Sequence, residues 1–136
     1  MSKGHDRYHE RNCGLSIFGK DLVRRSGAHC ELCGDHGVKL HIYEVAAVSK
    51  LPDLNHCLMV CDVCFTQIEK PKSQSQDNNH WRCLNHSIWS EVPVVKVLAV
   101  AILKRVAEQD FWAVQLLEQV YLEPEEREWL AKVQLP

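Results

Sequence analysis

Two short Cys-x-x-Cys pairs are the residues of this chain best suited to chemistry. The first pair is Cys30 and Cys33, and the second is Cys61 and Cys64. Four thiolates in two such pairs match the tetrahedral coordination of a structural Zn²⁺ and leave no open position on the metal. The spacing therefore predicts one zinc ion per chain, bound by these four cysteines. Iron in an all-sulfur site is compatible with the same ligands.

Disulfides and free core thiols are the alternatives to a metal. No segment reads as an export signal, so we expect a cytoplasmic protein, and thiols in that compartment stay reduced. Nothing typical of thioredoxin surrounds either pair, which disfavours a redox motif. The apolar run from Val92 to Leu103 is interrupted by Pro93 and Lys96, so we expect no membrane span.

Three further residues could hold a metal or could simply pack. Cys57 precedes Cys61 by four residues and could replace one ligand, although its place on an apolar strand favours a buried thiol. His80 and Cys83 could contribute to a second metal, although only two donors lie close together, which favours a packed turn. Three more histidines are predicted to be solvated or to hydrogen-bond to sulfur: His29, His36 and His56.

The elements that must position these cysteines form a small α+β protein. Residues 1–28 are predicted to be a basic arm with a short helix over 19–27, which stops at Gly27. Residues 29–71 are predicted to be the zinc module, with strands near 38–45 and 57–60 and a short helix after the second pair. Residues 72–91 are predicted to be a loop with a Trp-rich turn. Residues 92–136 are predicted to form two to three helices, which begin near Val92, Asp110 and Pro124, and the second is predicted to end near Tyr121.

Charge is unevenly distributed along the 136 residues. The whole chain carries a formal charge of −2, yet residues 1–29 hold six Lys or Arg against three Asp or Glu. Residues 84–136 hold five basic against eight acidic residues. Lys20, Arg24 and Arg25 stand immediately before the first pair, at helical spacing. A basic segment beside a zinc module favours contact with nucleic acid but does not require it.

The predicted order of pair, hairpin, pair and helix is that of a treble clef, which His-Asn-His nucleases also use. Those nucleases carry a pair of histidines at the end of the first strand, where one activates water. Here the corresponding positions are Ala46 and Ala47, and Phe65 follows the second pair. Methyl groups neither take up a proton nor bind a metal. We therefore predict no catalytic residues in this module.

Five segments of the chain together resemble the PhnA-like family. They are Arg24–Gly27, Cys30–Gly34, Ile42–Val45, Asn79–Asn85 and Trp89–Pro93. The resemblance spans about Gly19 to Ala107 and implies a four-cysteine zinc module of the zinc-ribbon or treble-clef type. The family is associated with alkylphosphonate use, and some members bear a phosphonoacetate hydrolase label. Many members end in a small β-rich domain, whereas this chain ends in acidic helices.

Three functions follow from these observations. The first is a non-catalytic zinc protein that contacts nucleic acid through Lys20, Arg24 and Arg25. The second is a protein-interaction adaptor or homo-oligomer that uses the apolar helix at 92–106. The third is a small metal-dependent hydrolase linked to phosphonate metabolism, or a degenerate His-Asn-His nuclease. The phosphonate activity is not carried over, because the sequence offers no comparable set of Asp and His ligands.

Overall fold

The computed structural model describes residues 16–46, 51–70 and 78–136, so residues 1–15 of the predicted arm lie outside the described residues. The described residues form a small α+β fold with a two-stranded antiparallel sheet and six α-helices. The strands are β1 (Leu40–Glu44) and β2 (Cys57–Cys61). The helices are α1 (Gly19–Ser26), α2 (Asp62–Glu69), α3 (Leu84–Ser87), α4 (Pro93–Val106), α5 (Phe111–Leu117) and α6 (Pro124–Lys132). Short 3₁₀ turns occupy Ser16–Phe18, Leu54–His56 and His80–Cys83.

Strand β2 is buried on both faces, and β1 is partly exposed. The two strands pair in a register that sets Leu40 opposite Cys61 and Glu44 opposite Cys57. Alternate side chains of a strand point to opposite faces. Met59 accordingly packs with Leu22 of α1, whereas Leu58 joins the main core. The continuous apolar run of β2 thus joins α1 to the rest of the protein.

Helix α4 is the centre of the main core. Eleven of its fourteen residues are buried, as expected for a helix that is apolar nearly all round. Pro93 stands at the start of the helix, where a missing N–H is harmless. The main core also includes Cys30, Cys61 and Cys64. The cysteine pairs and the C-terminal helices therefore share one core.

Two local predictions from the sequence were incomplete. Residues 72–77 of the predicted loop and turn lie outside the described residues. The rest of that segment contains the 3₁₀ turn at 80–83 and helix α3, because Trp81, Leu84 and Ile88 recur at helical spacing and are fully buried. Helix α5 ends at Leu117 rather than near Tyr121, since the N–H groups of residues 119 and 120 bond three residues back and tighten the last turn. None of the helices in the described ranges is long and apolar enough to cross a bilayer.

Candidate metal centre

The side chains of the two Cys-x-x-Cys pairs converge on one point. All four Sγ atoms lie within 4.8 Å of one another. The Sγ atoms of Cys30 and Cys64 are 3.7 Å apart, and those of Cys33 and Cys61 are 3.6 Å apart. Zinc–sulfur bonds of about 2.3 Å in a tetrahedron place the sulfurs about 3.8 Å apart. These four cysteines therefore fit a tetrahedral metal ion.

The first pair is held by a tight loop. The N–H of Cys30 donates to the carbonyl of Asp35, and the N–H of Gly34 donates to the carbonyl of Cys30, both at 2.8 Å. Gly34 has a φ of 80°, a conformation that a residue with a Cβ rarely adopts. The N–H of Cys33 lies 3.5 Å from Cys30 Sγ. This turn directs both sulfurs to the same side, while Cys33 stays partly exposed.

The second pair is built into the junction of β2 and α2. Cys61 ends the strand and is the N-cap of the helix, where its Sγ accepts from the N–H of Cys64 at 3.5 Å. Both cysteines are buried, with 3% of Cys61 and 0% of Cys64 exposed. The positive end of the helix dipole favours thiolates at this position. The second pair is therefore enclosed by regular structure.

His80 contacts the sulfur cluster from outside it. Its Nε2 atom lies 3.2 Å from Cys64 Sγ, so the tautomer with a proton on Nε2 donates to that sulfur. The sequence presented His80 as a possible ligand of a second metal. The structure instead places it against a sulfur of the first. Apart from the four cysteines, no group of three Cys, His, Asp or Glu donors converges within the described ranges.

Cys83 and Cys57, the other two candidate thiols, lie in different surroundings. Cys83 lines a cleft together with Cys30 and Cys33. Burial, with the nearby charge of Cys30, raises the pKa of Cys83 to about 12, so this thiol holds its proton. Cys57 is fully buried beside Leu22, and its Sγ donates to the carbonyl of Asp53 at 3.4 Å.

Proximity of the four thiols changes their ionisation in the absence of a metal. The hydrogen bond from Cys64 lowers the pKa of Cys30 to about 4, and the same contact raises the pKa of Cys64. Burial raises the pKa of Cys33 to about 12. Some thiols thus hold protons that a metal must displace, because only thiolates are ligands. Acid therefore competes with the metal at this cluster.

The three basic residues before the first pair do not share one environment. Lys20 and Arg24 are exposed on α1. Arg25 instead donates to both carboxylate oxygens of Glu31, at 3.0 and 2.7 Å, and to the carbonyl of Cys57 at 2.9 Å. Glu31 also accepts from the N–H of Met59 at 2.9 Å. Arg25 and Glu31 consequently tie α1 and the first pair to β2.

The described residues at the positions of the nuclease histidines pack against neighbouring side chains. The carbonyl of Ala46 accepts a hydrogen bond from the indole of Trp129, and Ala47 lies outside the described residues. Phe65 packs against the rings of His41 and Tyr43, at centroid distances of 5.3 and 6.1 Å.

The three histidines near the pairs make ring contacts with one another or with tryptophan. His29 and His36 face each other at 5.2 Å, and His56 lies 4.6 Å from Trp129.

Sequence reasoning missed two residues that support the centre. Glu31 lies between the two cysteines of the first pair. Its negative charge, a few residues after three basic residues, was the only feature of the sequence that indicated an ion pair. Arg105 is 8% exposed and donates to the carbonyls of Ile68 and Gln67, at 3.0 and 2.8 Å, at the end of α2. Nothing local in the sequence connects residue 105 with residue 68. No protein-family model, curated protein or solved structure matches this chain.

Proposed function

We propose that this protein is a non-catalytic zinc-binding module that contacts nucleic acid through helix α1. The observation that carries the metal part is the spacing of the sulfurs, 3.6 and 3.7 Å across the two pairs. Four sulfur ligands complete a tetrahedral zinc and leave no position for a water molecule to be activated. This ligand set supports a structural role for the ion.

The support for nucleic-acid contact lies in two exposed cations on a fixed helix. Lys20 and Arg24 stand four residues apart and therefore share a face of α1. Together with Gly19 and Val23 they border a shallow depression of about 430 Å³. Helix α1 is held in place by buried Leu22 and by the Arg25–Glu31 pair. Cations on such a rigid support lose little freedom when they bind phosphates.

Arg25 is not included in the proposed contact with phosphates, although its place in the sequence predicted such a contact. Its guanidinium is directed to Glu31 and to a backbone carbonyl, and only 25% of its side chain is exposed. Two phosphate contacts rather than three are then expected. The slope of log affinity against log salt on duplex DNA should be about −2, at about −0.9 for each neutralised phosphate.

The resemblance to the PhnA-like family fits a zinc module, and we propose that the chain is a member. A phosphonate hydrolase of the two-metal kind would need a second set of ligands, and the described residues hold one set. The adaptor alternative relied on the apolar helix 92–106. The protein's own core covers that helix, which leaves it no free apolar face for a partner.

Elemental analysis and a binding titration test the two parts separately. Protein purified without chelator should contain one zinc per chain. Wild-type protein should bind duplex or single-stranded nucleic acid at low ionic strength, and the double variant Lys20→Glu with Arg24→Glu should lose binding and its salt dependence. The matched control reverses two exposed lysines elsewhere, Lys104→Glu with Lys132→Glu, and should retain binding.

The outcomes distinguish the zinc proposal from the nucleic-acid proposal. Full zinc content without any salt-dependent binding would end the nucleic-acid proposal and leave the metal site standing. Metal-free protein would contradict the zinc proposal itself. Equal loss of binding in both double variants would show a response to net charge rather than contact through α1.

A further inference from the structure

We propose that Cys33 and Cys83 form a redox modification site, at which a hydroperoxide oxidises Cys33 and Cys83 converts the product into a disulfide. Loss of Cys33 as a ligand would then open the metal site. This inference rests on the proposed zinc site. It adds a class of reactant, the hydroperoxides, and a fifth cysteine, Cys83.

A cleft of about 420 Å³ gives access to one ligand of the cluster. The cleft lies between the loop of the first pair and the segment around α3, and it is lined by residues that include Cys33, Cys83, His86 and Ser87. Cys33 is partly exposed, whereas Cys30, Cys61 and Cys64 are at most 3% exposed. A small oxidant in solution therefore reaches Cys33 first.

A buried hydroxyl at the same cleft points to a polar reactant. Ser87 is 6% exposed, and its Oγ has no hydrogen-bond partner among the described residues. A buried polar group without a partner is unfavourable, because it has given up its hydrogen bonds to water. The oxygen atoms of a hydroperoxide that enters the cleft can bond to this hydroxyl. The same cleft thus offers a reactive sulfur, a hydrogen-bonding group and a second thiol.

The first pair is also the part of the site that no helix or strand holds. Its loop contains Gly34 and Gly37, both at positive φ, and lies outside any helix or strand. A disulfide needs α-carbons within about 7 Å of each other. Disulfide formation therefore requires the loop to bring Cys33 within this distance of Cys83 once the metal no longer holds it. Cys61 and Cys64 are held in place by β2 and α2.

The reaction balances with the hydroperoxide as oxidant. The thiolate of Cys33 attacks one peroxide oxygen, the O–O bond breaks, and the alkoxide or hydroxide that leaves takes a proton from water. Cys33 is now a sulfenic acid and no longer a thiolate ligand. The sulfur of Cys83 gives up its proton as it attacks the sulfur of Cys33, the S–O bond of the sulfenic acid breaks, a disulfide forms, and the oxygen leaves as water with that proton. Two sulfurs lose two electrons, which the hydroperoxide gains.

Oxidation of zinc-loaded protein by hydrogen peroxide tests this sequence. Zinc release is followed with a chromophoric chelator, and cysteine pairing is mapped by mass spectrometry. Wild-type protein should release its zinc, show a Cys33–Cys83 disulfide, and bind zinc again after reduction by a thiol. In Cys83→Ser, Cys33 should pass through sulfenic to sulfinic acid, which a thiol does not reduce, so reduction should restore a smaller fraction of the zinc than in wild type. Cys57→Ser removes a buried thiol away from the cleft and should behave like wild type.

The cysteine pairing found in oxidised wild-type protein tests the inference even if Cys83→Ser fails to fold. A fully metallated protein that releases zinc while Cys83 remains open to alkylation would overturn this inference alone. So would a map in which Cys33 pairs with Cys30 or Cys61. Protein without metal before the oxidant is added would contradict the metal site and this inference with it.

Discussion

The two cysteine pairs have the same spacing but are held in very different ways. Cys61 and Cys64 lie at the junction of a buried strand and a helix, and both are enclosed. Cys30 and Cys33 lie in a loop that turns at Gly34, and Cys33 borders a cleft. The second pair is thus held by a strand and a helix, and the first is held by a loop that buries Cys30 and leaves Cys33 partly exposed. A shared motif fixes the ligand atoms but not their accessibility or the elements that hold them.

The supports of the two pairs come from different parts of the chain. Behind the second pair, Arg105 of α4 bonds to the end of α2 and His80 bonds to the sulfur of Cys64. Behind the first pair, Arg25 of α1 bonds to Glu31. Each support can be removed on its own. Removing each support in turn should therefore separate the enclosed second pair from the first pair, in which Cys33 is accessible.

Removing a ligand of the enclosed pair should have the largest effect. Cys64→Ser should abolish stoichiometric zinc binding and lower the free energy of unfolding by more than about 4 kcal/mol, since metal binding and folding are coupled. Zinc content and chemical denaturation measure both effects. Cys83→Ser keeps all four ligands and is the control, so a zinc content equal to that of wild type is expected. Equal stability of the two variants would show that the metal does not support the fold.

Loss of the buried arginine behind α2 should follow. Arg105→Met leaves the carbonyls of Ile68 and Gln67 without this donor in the core, and should lower the free energy of unfolding by about 2–4 kcal/mol. Burial also lowers the pKa of Arg105, yet the guanidinium remains charged at neutral pH. Lys104→Met changes the exposed neighbour and should stay within about 0.5 kcal/mol of wild type. Denaturant unfolding compares the two, and equal losses would contradict the assigned role.

Sequence reasoning reached the elements whose signals are local. Gly27 ends α1 with a φ of 65°, and Pro124 starts α6 with a capping box of Glu123 and Glu126, because caps and breakers act within one turn. The four cysteines were identified for a similar reason. A single loop can bring two cysteines separated by two residues to the same metal, independently of the rest of the fold.

Contacts between distant segments were not available from the sequence. Arg24 and Arg25 are identical in type and adjacent, yet among the described residues only Arg25 of the two meets a carboxylate, since the position of Glu31 depends on how the loop docks on β2. The contact of His80 with Cys64 was also not predictable from the sequence, because the distance between them is set by the packing of Trp81 and α3. The resemblance to a known family likewise stays a prediction from segments of sequence.

His80 should tune the metal without determining the fold. His80→Phe removes the hydrogen bond to Cys64 Sγ, and loss of a partner that orients a ligand typically lowers metal affinity by about 10- to 100-fold. Competition with a chelator of known affinity measures this change. His86→Phe alters the exposed histidine of the cleft and should leave the affinity near that of wild type. Unchanged affinity in His80→Phe would mean that the contact does not stabilise the bound thiolate.

The smallest effects should come from the support of the accessible pair, where two neighbouring arginines form a natural comparison. Glu31 has a side chain that is 7% exposed and depends on Arg25 for its charge partner. Arg25→Gln should therefore lower the free energy of unfolding by about 1–2 kcal/mol, a figure reduced because a quarter of the Arg25 side chain meets water.

Arg24→Gln should change stability by less than about 0.5 kcal/mol and should instead weaken salt-dependent binding to nucleic acid. Adding Glu31→Gln to Arg25→Gln removes the unpaired carboxylate and should recover part of the lost stability. Denaturation of the four proteins in a double-mutant cycle gives the coupling between Arg25 and Glu31. Zero coupling, or a loss in Arg24→Gln equal to that in Arg25→Gln, would mean that this ion pair does not anchor the first cysteine pair. The accessible pair would then be held by its loop and its metal alone.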